Sequence, residues 1–226
     1  MDSSGLLVLI AALNEEKGIA PTIVELKKTL KNPAFLVVDG NSVDDTAKIA
    51  RVLGAEVIFQ TGKGKGDAIA EAIKHVNDAV KYVVLTDADF TYPSKYLPGM
   101  IKILEENPDV GMVCGNRFKD ELSLGEQHGI LYFGNRLLAF THNLLNGVEL
   151  MDPLTGLRVV RWDVLKDWKP KSKGFDVEVE LNHLVERKGY SIKEVPIEYR
   201  PRLGEKKLRL EHGLTILKRI VTESLS

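Results

Sequence analysis

Residues 82–93 read YVVLTDADFTYP. The first five are β-prone and mostly apolar, as a buried strand requires. The run stops at Asp87 and Asp89. Aspartate disfavours a strand interior, so the pair belongs at the strand's carboxyl end. In open α/β sheets ligands bind outside that end. Ala88 leaves room between the acids, and in extended backbone positions 87 and 89 point the same way. Two carboxylates so placed suit a hard divalent cation, Mg²⁺ or Mn²⁺, that would bridge to substrate phosphates. They equally suit an acidic turn after a strand.

Immediately upstream, residues 62–66 are Gly-Lys-Gly-Lys-Gly and lead into a helix expected over 67–79. Lys63, Lys65 and the amide of Gly66 could cradle phosphates, although a flexible linker has the same composition. The spacing fits neither a Walker A loop nor G-x-G-x-x-G. Further back, LLVLIAA at 6–12 reads as a buried parallel strand, and Asn14 is expected to cap a helix reaching about residue 30. A second strand over 34–38 breaks at Asp39-Gly40-Asn41-Ser42, a turn-forming run. A helix over 46–53 and a strand over 56–59 follow. Downstream, Pro93 starts a helix through 106, and 110–115 is a fifth strand. This alternation predicts an α/β fold, a mostly parallel sheet with helices on both faces.

After Gly115 the pattern changes. The expected elements are a polar loop (116–127), an apolar helix containing Arg136 (129–146), a turn (152–156) and a strand-like LRVV. A helix (175–188), a strand (191–199), a basic loop (200–207) and an amphipathic helix (208–225) close the chain. No repeat or linker divides residues 1–226, so one domain is expected.

The totals exclude several classes. Hydrophobic residues are 44% and charged residues 28% of the chain, enough to build a real core. The net charge of −1 provides no global field for nucleic acid. A single cysteine, Cys114, rules out an internal disulfide, suits a reducing compartment and reads as a core residue. No run of 18 apolar residues occurs, so attachment to a membrane would be at its surface. Histidines 75, 128, 142, 183 and 212 lack metal-ligand spacing and are expected as ordinary surface or interface residues.

Three strands end in acids: Glu15 after the first, Asp39 after the second, Asp87 and Asp89 after the fourth. In a parallel sheet these tips share one edge, and converging carboxylates repel unless a cation or a donor-rich ligand sits among them. Asp39 could accept N–H groups of a nucleobase.

The order N-E, D-G-x-S-x-D-x-T, G-x-G-K-G-x-A, D-A-D and G-x-R-F along the strands resembles the family-2 glycosyltransferases of GT-A type fold. Asp152 to Arg158 (DPLTGLR), GFDVE at 174–178 and VPIEYR at 195–200 are similar to segments of the polyprenyl-phosphate (dolichyl-phosphate) mannose and glucose synthases. The resemblance implies a nucleotide-sugar-binding half over 1–117 and an acceptor-side half over 118–226. It implies that Ala11, Leu13, Asn14, Glu15, Asp39, Lys63, Lys65, Gly66, Asp87, Ala88 and Asp89 hold the donor, a UDP- or GDP-hexose. Ala11 and Leu13 replace the family's Pro and Tyr there. Asp87 and Asp89, with Thr91 at a position often Gln, would surround Mg²⁺ or Mn²⁺.

The acceptor implied is a polyprenyl (dolichyl) phosphate at the cytoplasmic face of a membrane. Being anionic already, it needs cationic positioning rather than a strong base. Arg117, Arg136 and Arg202, with Lys206 or Lys207, suit that role. Catalysis would thus fall to Asp89 and these arginines, with inversion at the sugar. The apolar helix over 129–146 and the last helix could lie in the membrane interface, though core packing would use them equally well. Asp152 is either structural or close to the acceptor. It would be the base if the acceptor were instead a hydroxyl. D-x-D-x-T at 87–91 also fits a haloacid-dehalogenase-type phosphatase, but that motif belongs on a first strand and needs a later acidic pair that is not found.

Overall fold

The structure, a computed structural model, describes residues 5–118, 130–146, 149–205, 207 and 210–225. The tip of the polar loop over 119–127, His128 and Lys206 lie outside these residues, as do the first residues of the helices expected to start at 129 and 208. In chain order the elements are β1 (Leu6–Ala12), α1 (Glu16–Thr29), β2 (Ala34–Asp39), α2 (Thr46–Val52), β3 (Glu56–Phe59), α3 (Lys65–Ile73), β4 (Tyr82–Asp87) and α4 (Leu97–Glu106). Then come β5 (Val110–Asn116), α5 (Ile130–Asn146), β6 (Arg158–Arg161), α6 (Trp162–Leu165), α7 (Val177–Arg187), β7 (Ser191–Pro196) and α8 (Leu210–Ser224).

The seven strands lie in the order β3-β2-β1-β4-β6-β5-β7. Only β6 runs antiparallel, wedged between β4 and β5, so both halves of the chain share one sheet. Alternation along β1 explains the two layers. Leu6, Val8, Ile10 and Ala12 face α1 and α4, while Leu7 and Leu9 face α3 and α7. Val8 and Ile10 are fully buried, and each such side chain contributes about 1.5–3 kcal/mol. Cys114 is buried as expected, and burial pushes its thiol up to about 12.

One expectation fails for a local reason. Asn14 does not cap α1; Glu15 takes the N-cap position. Asn14 adopts a left-handed φ of 48°, and its amide oxygen accepts the Val43 N–H at 2.9 Å. The Thr46 hydroxyl accepts the Glu15 N–H at 2.8 Å, which binds the loop after β1 to the loop after β2. On α8 one face packs inward and another stays open. Ile216 and Ile220 pack with Leu138 of α5 and Val179 of α7, while Leu214, Leu217 and Val221 are exposed. No helix among the described residues is long and apolar enough to cross a membrane.

His142 and His183 are not ordinary surface residues. Both are buried, their rings 5.4 Å apart between α5 and α7. Burial, then the neighbouring His183, holds His142 down to about 4, and burial lowers His183 as well. Below neutrality the unfolded chain therefore binds protons that the folded one refuses, so stability falls as the pH drops. His142 alone accounts for on the order of 3 kcal/mol lost between pH 6.5 and pH 4. Urea unfolding at both pH values checks this. His142→Gln should flatten the dependence, and an equally steep variant would assign it to other groups.

Candidate active site

The carboxyl ends of β1, β2 and β4 open onto a cleft of about 350 Å³. It is lined by Ala11, Leu13, Glu15, Lys65, Asp87, Ala88, Asp89, Arg117, Arg202 and Lys207 among others. Asp39 stands beside it, in register with Ala12 of β1, and Gly40 lines the cleft. The Asp39 Oδ1 accepts the Ser42 N–H at 2.7 Å, so the turn forms as its residues dictate. Its Oδ2 is buried and meets no donor among the described residues. Leu13, 42% exposed, stands over Gly40.

Each acid of the D-A-D segment carries an internal cation. Lys65 Nζ lies 2.6 Å from Asp87 Oδ1 and 2.8 Å from Glu178 Oε1. Burial alone would raise the Asp87 pKa, but the Lys65 charge and hydrogen bond outweigh it and hold the carboxyl below its usual range. Asp89 moves the other way. Burial, then the neighbouring Asp87, raises it despite Arg202 at 3.2 Å. Glu15 is raised chiefly by burial, although Arg202 at 2.6 Å and Lys207 at 2.5 Å both pair with it. Burial would lower Lys65, yet Asp87 and Glu178 keep it charged.

The basic loop after β7 forms one wall. Its Arg200 N–H donates to Thr91 O and its Leu203 N–H to Asp89 O, at 2.9 and 3.0 Å. Those bonds bring Arg202 over the acids. Arg117 forks onto Asp152, Nε to Oδ2 at 2.6 Å and Nη2 to Oδ1 at 2.7 Å. Asp152 thus serves as the anchor of an arginine. Gly156 closes the floor: a Cβ there would come 2.5 Å from Asp87 Oδ2.

The remaining expected residues are placed elsewhere. Arg136 is exposed on α5, lines a separate groove with Asn116, Met151 and Glu194, and lies over the Phe118 ring that Arg117 also meets. Lys63 and Asn14 point outward. Thr91 is buried and gives both its N–H and its hydroxyl to Asp89 Oδ1, at 3.1 and 2.6 Å. It orients that acid. Two amides of the glycine-rich loop are already taken, the Gly66 N–H by Lys173 O and the Gly62 N–H by Asp67. Gly66 serves close packing, since any Cβ would collide with Ser172 O. Gly66→Ala should therefore destabilise by about 2–3 kcal/mol. Chemical denaturation tests this, and a neutral effect would show that the 172–174 segment can move aside.

Glu178, Tyr199, Phe175 and His212 also line the cleft, and sequence reasoning does not single them out as site residues. The GFDVE segment is the available signal for Glu178. Among the described residues no group of three or more His, Cys, Asp or Glu side chains could hold a metal unaided.

Comparison with known proteins identifies this cleft's setting. The chain is 34% identical over 205 residues to a dolichyl-phosphate hexose transferase of Haloferax volcanii, covering 90% of this chain and 86% of that one. A low-salt glycan biosynthesis hexosyltransferase of the same organism is also 34% identical over 207 residues, 90% of this chain and 49% of its own length. Among solved structures, a glucosyl-3-phosphoglycerate synthase of Mycobacterium tuberculosis, in complex with Mn²⁺, UDP-glucose and phosphoglyceric acid, superposes with a TM-score of 0.76. It is 20% identical and covers 97% of this chain and 79% of that one, which establishes a shared GT-A type fold. A family model described as "Glycosyl transferase family 2" matches residues 7–168, so the chain belongs to glycosyl transferase family 2.

Proposed function

We propose that this enzyme moves a hexose from a nucleoside-diphosphate sugar to the phosphate of a polyprenol, inverting the anomeric carbon. The observation that carries the reading is the charge pattern of the cleft. Asp87 and Asp89 meet Arg117, Arg202, Lys65 and Lys207 in one space, as transfer between two phosphorylated substrates requires. The name of the Haloferax relative points to the same acceptor.

Asp39, with a buried oxygen lacking a donor, suits N–H groups of the base. Asp87 and Asp89 would hold Mg²⁺ or Mn²⁺. Two carboxylates with no third protein acid fit a cation whose shell is completed by donor phosphate oxygens and water. When bound, the metal neutralises charge on the leaving diphosphate. Lys65 and Arg202, now on Asp87 and Asp89, are in reach to turn towards that diphosphate. Arg202 and Arg117 set the acceptor phosphate against the donor. A phosphate oxygen attacks the anomeric carbon as the bond to the diphosphate breaks, and no base has to remove a proton.

The acceptor's lipid tail calls for a membrane surface. Leu137, Phe140 and Leu144 of α5 and Leu214 of α8 are each more than 60% exposed, on two helices that pack together. They suit docking at the cytoplasmic face. The test is transfer from labelled UDP- and GDP-hexoses to a short polyprenyl phosphate in detergent with Mn²⁺. Lipid-linked product with one nucleotide family, abolished by chelator, is expected. Transfer to hydroxyl acceptors only, or release of phosphate from simple monoesters, would overturn the reading.

A further inference from the structure

Besides Glu15 Oε2 and Asp39 Oδ2, the cleft region holds a third buried acid oxygen without a donor among the described residues. Glu178 stands in the first turn of α7 and is 6% exposed. Its Oε1 accepts from Lys65, while its Oε2 meets no donor among the described residues. A buried carboxylate oxygen left without a hydrogen bond is unfavourable, and the ligand of the cleft it lines is the available source of one.

Its place along the cleft says which part of a ligand arrives there. Asp39 is at the tip of β2, and Asp87 and Asp89 are at the tip of β4, two strands away. Lys65 bridges Asp87 and Glu178, so Glu178 stands one lysine away from an acid of the D-A-D segment. A nucleoside-diphosphate sugar is itself linear: base, ribose, diphosphate, hexose. With its base at Asp39 and its diphosphate at the acids and cations, its hexose falls next to Glu178. Sugar hydroxyls are the donors that Glu178 lacks.

We propose that Glu178 accepts a hydrogen bond from a hydroxyl of the donor hexose and so sets which hexose is transferred. This rests on the nucleotide-sugar reading above. The GFDVE segment thereby gains a chemical role. Gly174 and Phe175 line the cleft wall, Asp176 ties α7 to Arg219 of α8 at 3.1 Å, and Glu178 reads the sugar. Lys65 then couples the hexose to the diphosphate, touching the sugar-reading acid and a metal-binding acid at once.

Calorimetry on the full chain with Mn²⁺ tests it, comparing UDP and GDP with their glucose, galactose and mannose conjugates. Glu178→Gln keeps the size of the side chain and an acceptor for Lys65. Its affinity for the bare diphosphate should stay within about twofold of wild type. Its affinity for the matching sugar nucleotide should fall about tenfold or more, with weakened discrimination between epimers. Equal losses for diphosphate and sugar nucleotide would mean that Glu178 acts only by holding Lys65, and would overturn the proposal. So would an unchanged preference among epimers. Failure of the wild type to bind any nucleotide would instead remove the functional reading on which the proposal stands. A structure of the wild type with an unreactive donor analogue tests the same point without a variant. A hexose hydroxyl should lie about 2.5–3.0 Å from the Glu178 carboxylate, and a hexose held elsewhere would sink the idea.

Discussion

Asp87→Asn is expected to reduce kcat/KM for sugar transfer by about 10³-fold or more while leaving the protein folded. The side chain keeps 30% of its surface open to the cleft, so the isosteric amide leaves no hole. What it removes is charge. The carboxylate is held ionised by Lys65 at 2.6 Å, against a burial effect that would otherwise protonate it. An amide in its place deprives the proposed divalent cation of one of its two proposed protein ligands. It also leaves Lys65 leaning on Glu178 alone. Mn²⁺ binding in the presence of nucleotide should weaken in step with activity, a readout independent of turnover. Melting temperature should change little, because no core contact is lost. A variant within about fivefold of wild-type activity would remove the metal role from this carboxylate. Asp39→Asn makes the useful contrast. It sits beside the end of the cleft proposed for the base, so it should weaken nucleotide binding without abolishing the dependence on metal.

The acids of this rim are legible in the sequence because a parallel sheet forces the connection. β1, β2 and β4 are buried on both faces, so each reads as an unbroken apolar run whose end is marked by its first acid. What pairs with those acids is not legible. Lys65 and Glu178 are far apart in the chain, and they meet only because α3 and α7 pack on the same face of the sheet. Asp152 has no evident partner until the antiparallel β6 places the preceding turn beside Arg117. That strand is visible as LRVV, but its insertion between β4 and β5 is a tertiary choice that no local pattern records. Arg136 shows the opposite limit. An arginine in an apolar helix reads alike whether it turns to a phosphate or to solvent, and here it is exposed. The histidine pair escapes sequence reasoning because histidine carries no periodicity signal, and burial depends on how α5 meets α7. The glycines of 62–66 also carry a constraint that composition does not show, since Gly64 and Gly66 pack against residues 172–174.

Arg158→Met should cost roughly 3–5 kcal/mol of stability and lower activity in the molecules that still fold. Arg158 is 1% exposed, in β6 at the centre of the sheet. Its guanidinium donates to Thr155 O at 2.9 Å, Pro153 O at 2.7 Å and Asn182 Oδ1 at 2.6 Å. Methionine fills much of the volume but supplies no N–H, so three buried acceptors lose these bonds together. Two of them shape the turn that carries Asp152 and Gly156, and that turn anchors Arg117 and abuts Asp87. Arg158→Lys keeps the charge but cannot reach three acceptors with a planar fork, so it should recover only part of the loss. Urea unfolding measures the change in stability. Kinetics on the folded fraction measure the change in activity, with KM for the proposed lipid phosphate expected to rise more than KM for the donor, since Arg117 is the proposed acceptor clamp. A variant that is destabilised but kinetically normal would confine Arg158 to the core. One that is neutral in both would mean that the turn from 152 to 156 holds its shape without it.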